Sequence, residues 1–286
     1  MKYGEAVNKA QAMLKNINCD DRLQDTFTLL KYVFEISRTD YLLCREEEAD
    51  EEKLNDFFSL IEKHNDGMPV QYITGVQNFY GVDFFVNENV LIPRFDTEVL
   101  VEWVLSNEKD KDLSVLDMCT GSGCIILTLL KMGGYKTGIG VDISKEALDV
   151  ARLNKDRNDI NAAFYCGDLF EAVSGRVAVN SLDVVVSNPP YIVSSEIEKL
   201  DKLVSMHEPG LALDGGDDGL VFYRRIAKDA LKYLKNNGRI YLEIGCEQAA
   251  SVREILEQHG YRDIQIKKDY AGLDRCVMAK ACIDIY

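Results

Sequence analysis

The sequence predicts a doubly wound, mainly parallel α/β sheet preceded by a small helical domain, and three observations carry that prediction. From residue 113 onward, short β-branched runs alternate with helical periodicities. Residues 1–66 show helical spacing alone. Between the two lies a stretch of aromatic and β-branched residues broken by glycines, the pattern of a hairpin.

In the N-terminal part Val7, Ala10 and Leu14 share one helical face, Leu23, Phe27, Leu30 and Phe34 a second, and Leu54, Phe57, Phe58 and Ile61 a third. The acid-rich run 45–52 stands before the third, where carboxylates favour the positive end of the helix dipole, and reads as a solvated face. Asp66-Gly67 breaks the helical pattern. From Val70 to Ile92 the alternation predicts a β-hairpin joining two domains, closed by Pro93-Arg94-Phe95-Asp96. Asp96 is placed to cap a helix containing Val99, Leu100, Trp103 and Val104. The expected organisation is a helical domain over 1–66, a hairpin linker over 67–95 and a catalytic domain over 96–286.

Strands are expected at Val115–Met118, Thr137–Val141, Ala162–Cys166, Asp183–Ser187, Arg239–Glu243, Ile264–Ile266 and Cys276–Ala281. Helices fall between most of them, among them Ile125–Lys131 and the face Tyr223, Ile226, Ala230, Leu231 and Leu234. The chain shows neither an internal repeat nor a low-complexity segment.

Composition narrows the function. A chain of 286 residues can bury a sizeable core, and no apolar run reaches membrane-spanning length. The opening Met1-Lys2-Tyr3-Gly4-Glu5 does not start a signal peptide, so a cytoplasmic protein is expected. Eight scattered cysteines without a C-x-x-C pair read as reduced thiols, and three separated histidines argue against a zinc site. A net charge of −15 argues against binding nucleic acid through its phosphates.

In a doubly wound sheet ligands sit at the carboxyl ends of the strands, so the strand-to-loop junctions hold the candidate chemistry. The first is Asp117-Met118-Cys119-Thr120-Gly121-Ser122-Gly123, whose glycines permit close backbone approach. Ile126 stands where a dinucleotide fingerprint has glycine, which weakens a nicotinamide reading in favour of a cofactor with adenosine and amino-acid parts. Asp142 follows about 20 residues on, suited to ribose hydroxyls. Asp168 ends the third strand, where it could accept from an adenine amine; a bland turn serves as well there. The fourth junction is Asn188-Pro189-Pro190-Tyr191.

That last corner lacks two backbone donors, and its prolines hold Asn188 and Pro189 extended. The Asn188 side-chain oxygen and the corner's carbonyls are acceptors aimed at an NH₂ group, and Tyr191 offers a flat face for a planar amide or base. The corner reads as the place where such a nitrogen is methylated; by itself it could equally be a Pro-Pro turn. His207 and Glu243 near the cleft read as structural, and Asp214 to Gly219 as a bordering turn rather than a calcium loop.

Together these segments resemble the S-adenosylmethionine-dependent, Rossmann-like class I methyltransferases, and more narrowly the peptide chain release factor N5-glutamine methyltransferases of the HemK/PrmC family. The likeness runs through Pro69 to Gly75, Phe79-Tyr80-Gly81, Leu91 to Glu98, the Asn188 corner, and Glu208-Pro209 through Asp218-Gly219-Leu220. It implies methylation of the glutamine amide in the Gly-Gly-Gln loop of a release factor, with the helical domain recognising that protein. It implies cofactor contacts at Cys119, Thr120, Gly121, Ser122, Gly123, Asp142, Asp168, Leu169 and Asn188. Asn188, Pro189, Pro190 and Tyr191 would hold the substrate, with Asn188, Pro189 and Tyr191 serving catalysis. It implies no metal and no direct nucleic-acid contact, and a monomer is expected. Cys119 departs from a usual glycine, Phe95 from a common proline and Leu169 from a frequent aromatic. A ribosomal-protein glutamine, an exocyclic base amine, or a non-catalytic binding role are the alternatives.

Overall fold

Five parallel strands carry the C-terminal part of this computed structural model, which describes residues 1–199 and 207–283. They are β3 (Ser114–Met118), β4 (Thr137–Asp142), β5 (Ala163–Cys166), β6 (Leu182–Ser187) and β7 (Leu234–Glu243). Two more, β8 (Arg262–Lys268) and β9 (Asp274–Lys280), complete the sheet in the order β5-β4-β3-β6-β7-β9-β8, with β9 antiparallel to both neighbours. Successive residues serve opposite faces. Leu116, Met118, Val185, Ile240 and Leu242 enter one core, while Val115, Val184, Val186 and Tyr241 enter the other. Burial on both sides is why the central strands β3 and β6 are near-continuous apolar runs.

The helices of this part are α6 (Phe95–Asn107), α7 (Cys124–Thr128), α8 (Lys145–Arg157), α9 (Val221–Ala230) and α10 (Ala249–Gln258). Tyr223 and Ile226 of α9 and Val252 and Leu256 of α10 pack on the first core; Leu100 and Trp103 of α6 and Ile125 of α7 pack on the second. Order reverses between β3 and β6: β3 leads outward to β4, and β6 leads the other way to β7. The crevice between their carboxyl ends is the switch point of the sheet.

The chain divides into two units, one on Met1–Val76 and one on residues 77–199 and 208–283. The first contains α1 (Tyr3–Met13), α2 (Cys19–Phe34), α3 (Arg38–Cys44), α4 (Glu51–Asn65) and α5 (Val70–Thr74). Its core gathers Val7, Leu14, Leu29, Leu30, Phe34, Phe57 and Ile61. The sequence reading missed α3, and on α2 the buried stripe is Thr26, Leu29, Leu30 and Phe34, with Leu23 exposed.

Five local expectations change. Residues 70–74, read as strand, form a helical turn: Pro69 opens it, the Thr74 hydroxyl donates back to the Val70 carbonyl at 3.0 Å, and Gly75 closes it at φ 70°. The hairpin is confined to β1 (Val76–Phe79) and β2 (Val82–Phe85), joined by Tyr80 and Gly81 at φ 51° and 77°. Arg94, not Asp96, occupies the N-cap of α6, and Asp96 sits in the first turn. Leu234, placed on a helix face, opens β7, and the Ile125–Lys131 helix is α7 continued by a π turn over Leu129–Gly133.

Candidate active site

The register brings the junctions together. Met118 at the end of β3 lies beside Val141 of β4 and Ser187 of β6, and Asp142 lies beside Cys166 of β5. The Ser187 hydroxyl donates to the Met118 carbonyl at 2.6 Å, tying the two central strands at the point where they diverge. A cavity of about 430 Å³ opens here, within the usual size of a small-molecule site. Its wall includes Cys119, Gly121, Asp142, Asp168, Leu169, Asn188 and Pro190.

Asp142 organises the first loop. One carboxylate oxygen accepts from the Gly121 N–H at 2.8 Å and the other from the Ser144 N–H at 3.0 Å. Two further lone-pair directions remain for a diol. Burial pushes the Asp142 carboxyl up while these backbone donors pull it down. Gly121 has φ 54°, and a Cβ built on it meets nothing within 4 Å, so a ligand can come directly over its backbone.

Thr120 and Ser122 are buried and absent from the cavity wall, because the Thr120 hydroxyl donates to Asp117 at 2.6 Å and Ser122 packs inward. Asp117 itself is fully buried, and desolvation moves it up to about 7. Gly123 also lies off the wall; at φ 80° its Cβ would press on Leu127 and Ala151 at 3.1 and 3.3 Å. Cys119 reaches the wall in the left-handed region at φ 58°, where glycine carries no strain. Desolvation, then the neighbouring Asp142 and Asp117, push its thiol upward, so it is neutral at pH 7.

At the far end Asp168 accepts from the Arg225 guanidinium at 2.7 Å, and Leu169, at φ 47°, presents an apolar wall with Phe222. On the other side the Asn188 Nδ2 donates to the Thr97 hydroxyl at 3.2 Å. Pro189 is buried, and Pro189 and Tyr191 flank the cavity rather than line it. Gln248 fixes the Tyr191 backbone: its Nε2 donates to the carbonyls of Tyr191 and Gly219 at 3.0 and 3.2 Å. Its Oε1 accepts from the Gly245 N–H at 2.9 Å and the Tyr223 hydroxyl at 3.4 Å. The 214–219 segment is a turn against this corner, where a Cβ on Gly215 would lie 2.7 Å from the Tyr191 Cα.

Several contributors escaped the sequence reading. Glu243 is buried against Thr97 and Asn188, and Gln248 and Arg225 hold the corner and Asp168. Asn154 of α8 is fully buried; its Oδ1 accepts from the Phe85 N–H at 2.6 Å and its Nδ2 donates to the Phe85 and Ser122 carbonyls, both at 3.0 Å. A polar residue continuing the stripe Ala147, Leu148, Val150, Ala151 was the signal available for it. His207 groups with the first unit. Among the described residues no cluster of three or more His, Cys, Asp or Glu is arranged to hold a metal, and no helix is long and apolar enough to cross a membrane.

Comparison with known proteins agrees with this geometry. A family model described as the PrmC N-terminal domain matches residues 5–75, and one described as a methyltransferase domain matches 109–277. A release factor glutamine methyltransferase from Clostridium acetobutylicum is 41% identical over 282 residues, covering 98% of each chain. One from Bacillus subtilis is 40% identical over 259 residues, covering 88% of each. A methyltransferase from Pyrococcus furiosus shares the fold at a TM-score of 0.55 with 18% identity, over 72% of this chain and 91% of its own. Two domain matches and near-full-length identity lead to one conclusion: this chain belongs to the release factor glutamine methyltransferase family.

Proposed function

We propose that this enzyme transfers a methyl group from S-adenosylmethionine to the side-chain amide nitrogen of the glutamine in the Gly-Gly-Gln loop of a peptide chain release factor. The observation that carries this reading is the meeting of Asp142 and Asn188 on one cavity at the switch point, with the Asn188 Nδ2 already engaged by Thr97. That engagement leaves the Asn188 oxygen as the free acceptor.

The cavity suits the cofactor's parts. Asp142 would hold the ribose hydroxyls, Leu169 and Phe222 the adenine ring, and the second Asp168 oxygen its amine; the Cys119 and Gly121 backbones would border the methionine part. Thr120, Ser122 and Gly123 serve by shaping the loop. When bound, S-adenosylmethionine supplies an electrophilic methyl group on a positively charged sulfur.

The chain's own task is to make a poor nucleophile attack. An amide nitrogen shares its lone pair with its carbonyl. Accepting its two protons at Asn188 Oδ1 and the Pro189 carbonyl favours a pyramidal nitrogen and turns the lone pair toward the donor. The Pro-Pro corner fixes both acceptors before substrate arrives, so orientation costs little at the moment of reaction. Tyr191 would flank the planar amide, and Pro190 stiffens the corner. Burial pushes the Tyr191 hydroxyl upward, keeping it neutral. Once the new bond forms, the nitrogen is acidic enough to release its proton to water.

The helical unit would recognise the release factor, and the hairpin segment would join it to the catalytic unit. The same reading has the enzyme work as a monomer in the cytoplasm without touching nucleic acid, which the charge of −15 supports. The test is label transfer from methyl-labelled S-adenosylmethionine to an unmodified release factor, beside one whose Gly-Gly-Gln glutamine is replaced. Label on the intact loop alone is expected. Label on nucleic acid or a ribosomal protein instead would overturn the target.

A further inference from the structure

Asn188 can act as described only if its amide oxygen, rather than its nitrogen, faces the substrate. A primary amide is nearly symmetric in shape, so sterics alone do not choose between the two orientations. The choice falls to whatever touches the other end.

Two groups do. Thr97, buried in the first turn of α6, accepts from the Asn188 Nδ2 at 3.2 Å. Glu243, buried at the end of β7 and one residue past the Leu242–Ser187 pairing, stands beside Asn188, and Thr97 and Asn188 pull its carboxyl down against the upward push of burial. A carboxylate accepts only. With the Thr97 proton turned toward it, the Thr97 oxygen is left to accept, as it does from the Asn188 Nδ2. The Glu243 Oε2 has no hydrogen-bond partner among the described residues, a costly arrangement for a buried oxygen that packing alone does not account for.

We propose that Glu243, acting through and beside Thr97, is a positioning residue that sets the Asn188 amide with its oxygen toward the incoming glutamine. The proposal rests on Asn188 being the acceptor described above. Its chemical corollary is a proton-dependent switch. Burial brings Glu243 up to about 7, and once protonated it becomes a donor able to hold the Asn188 oxygen instead, turning the nitrogen toward substrate.

The groups facing Glu243 are Thr97 and Asp96 from α6, Cys124 from α7, Asn188 and Tyr191 from the corner, Arg275 and Cys276 from β9, and Tyr223 from α9. Burial pushes Tyr191, Tyr223, Cys124 and Cys276 upward, so they stay neutral between pH 6 and 8. Arg275, bridged to Asp269 and Asp96 at 3.1 and 3.3 Å, stays charged there. Burial brings the carboxyl of Glu243, beside Asn188 in the register of β6 and β7, into that range.

The experiment compares wild-type enzyme with Glu243→Gln, Thr97→Val and Thr97→Ser on a release factor substrate, measuring kcat, KM for the release factor, cofactor affinity by calorimetry, and kcat against pH. Glu243→Gln is isosteric but can donate, and is expected to lower kcat by about 10- to 100-fold with cofactor affinity within about threefold. The wild-type kcat should fall as pH drops through about 7, and that limb should vanish in Glu243→Gln. Thr97→Val should lose a similar factor, and Thr97→Ser should restore most of it. If Glu243→Gln does not fold, the Thr97 pair decides: equal kcat in Val and Ser variants overturns the proposal. A folded Glu243→Gln with wild-type kcat also overturns it, as does a kcat loss matched by an equal loss of cofactor affinity. Wild-type enzyme inactive on the release factor overturns the functional reading and the proposal together, a result separate from an active wild type with an indifferent Glu243→Gln.

Discussion

Replacing Asn154 by Asp should destabilise the catalytic unit although the two side chains have the same size. Asn154 is fully buried and uses one amide to satisfy three backbone groups: the Phe85 N–H and the carbonyls of Phe85 and Ser122. An aspartate keeps the first bond but has no N–H for the two carbonyls. Each buried acceptor so orphaned costs about 1–3 kcal/mol, and an ionised carboxylate facing them adds repulsion unless it binds a proton. The expected loss is about 4 kcal/mol, which for a unit of this size lowers Tm by roughly 8–16 °C. Because the Ser122 carbonyl belongs to the glycine loop, cofactor affinity should fall as well, by about tenfold or more. Thermal unfolding by circular dichroism, with calorimetric titration of S-adenosylmethionine, measures both. Asn161→Asp, on an exposed residue, is the control for the charge alone. A Tm within 2 °C of wild type would show that the carbonyls find other partners and would refute the reasoning.

Three more outcomes are expected. Gly219→Ala places a Cβ 2.5 Å from the Tyr191 carbonyl and 2.7 Å from the Gln248 Nε2, at φ 70°, so kcat should drop at least about tenfold through displacement of the corner, read in steady-state kinetics. Cys119→Gly removes a side chain from the cavity wall and left-handed strain of about 1–2 kcal/mol, offset by about 0.5–1 kcal/mol of glycine entropy. Stability should change by no more than about 1 kcal/mol while cofactor affinity rises about two- to tenfold; unchanged or weaker calorimetric affinity would count against the strained-loop account. Asp117 and Glu243, both moved up to about 7 from ordinary values of 3.8 and 4.5, bind protons more tightly in the folded state. Stability should therefore fall as pH rises from about 4 through 7, by up to about 3–4 kcal/mol per group, of which urea titrations at pH 6 and 8 would show about 1 kcal/mol per group and a lower starting pH the rest. Glu243→Gln should flatten part of that slope.

The central strands β3 and β6 were legible because they are buried on both faces, which writes itself into the chain as an unbroken apolar run such as Val184-Val185-Val186. Strand ends were legible because Asp142, Asp168 and Asn188 punctuate the chain at the boundary between core and cleft. The 70–74 turn was misread because Val70, Ile73 and Thr74 favour strands by composition, whereas Pro69, Gly75 and a hydroxyl bonding back four residues decide locally for a helical turn. What lay beyond reach was pairing across sequence distance. Thr97 meets Asn188 from 91 residues away, and Asn154 meets Phe85 from 69. A local pattern contains no record of such partners, so Glu243, isolated at a strand end, looked like any structural carboxylate.

The four hydrogen bonds of Gln248 have a mechanical consequence. Through one side chain they rivet three separate backbone segments, at Tyr191, Gly219 and Gly245, to one another and to Tyr223. The corner is therefore a fixed anvil rather than a jaw: it cannot swing aside to release a methylated product unless all of these bonds part together. The cavity opens instead past Leu211, a wall residue that is largely exposed, and the anvil stays in place from one turnover to the next.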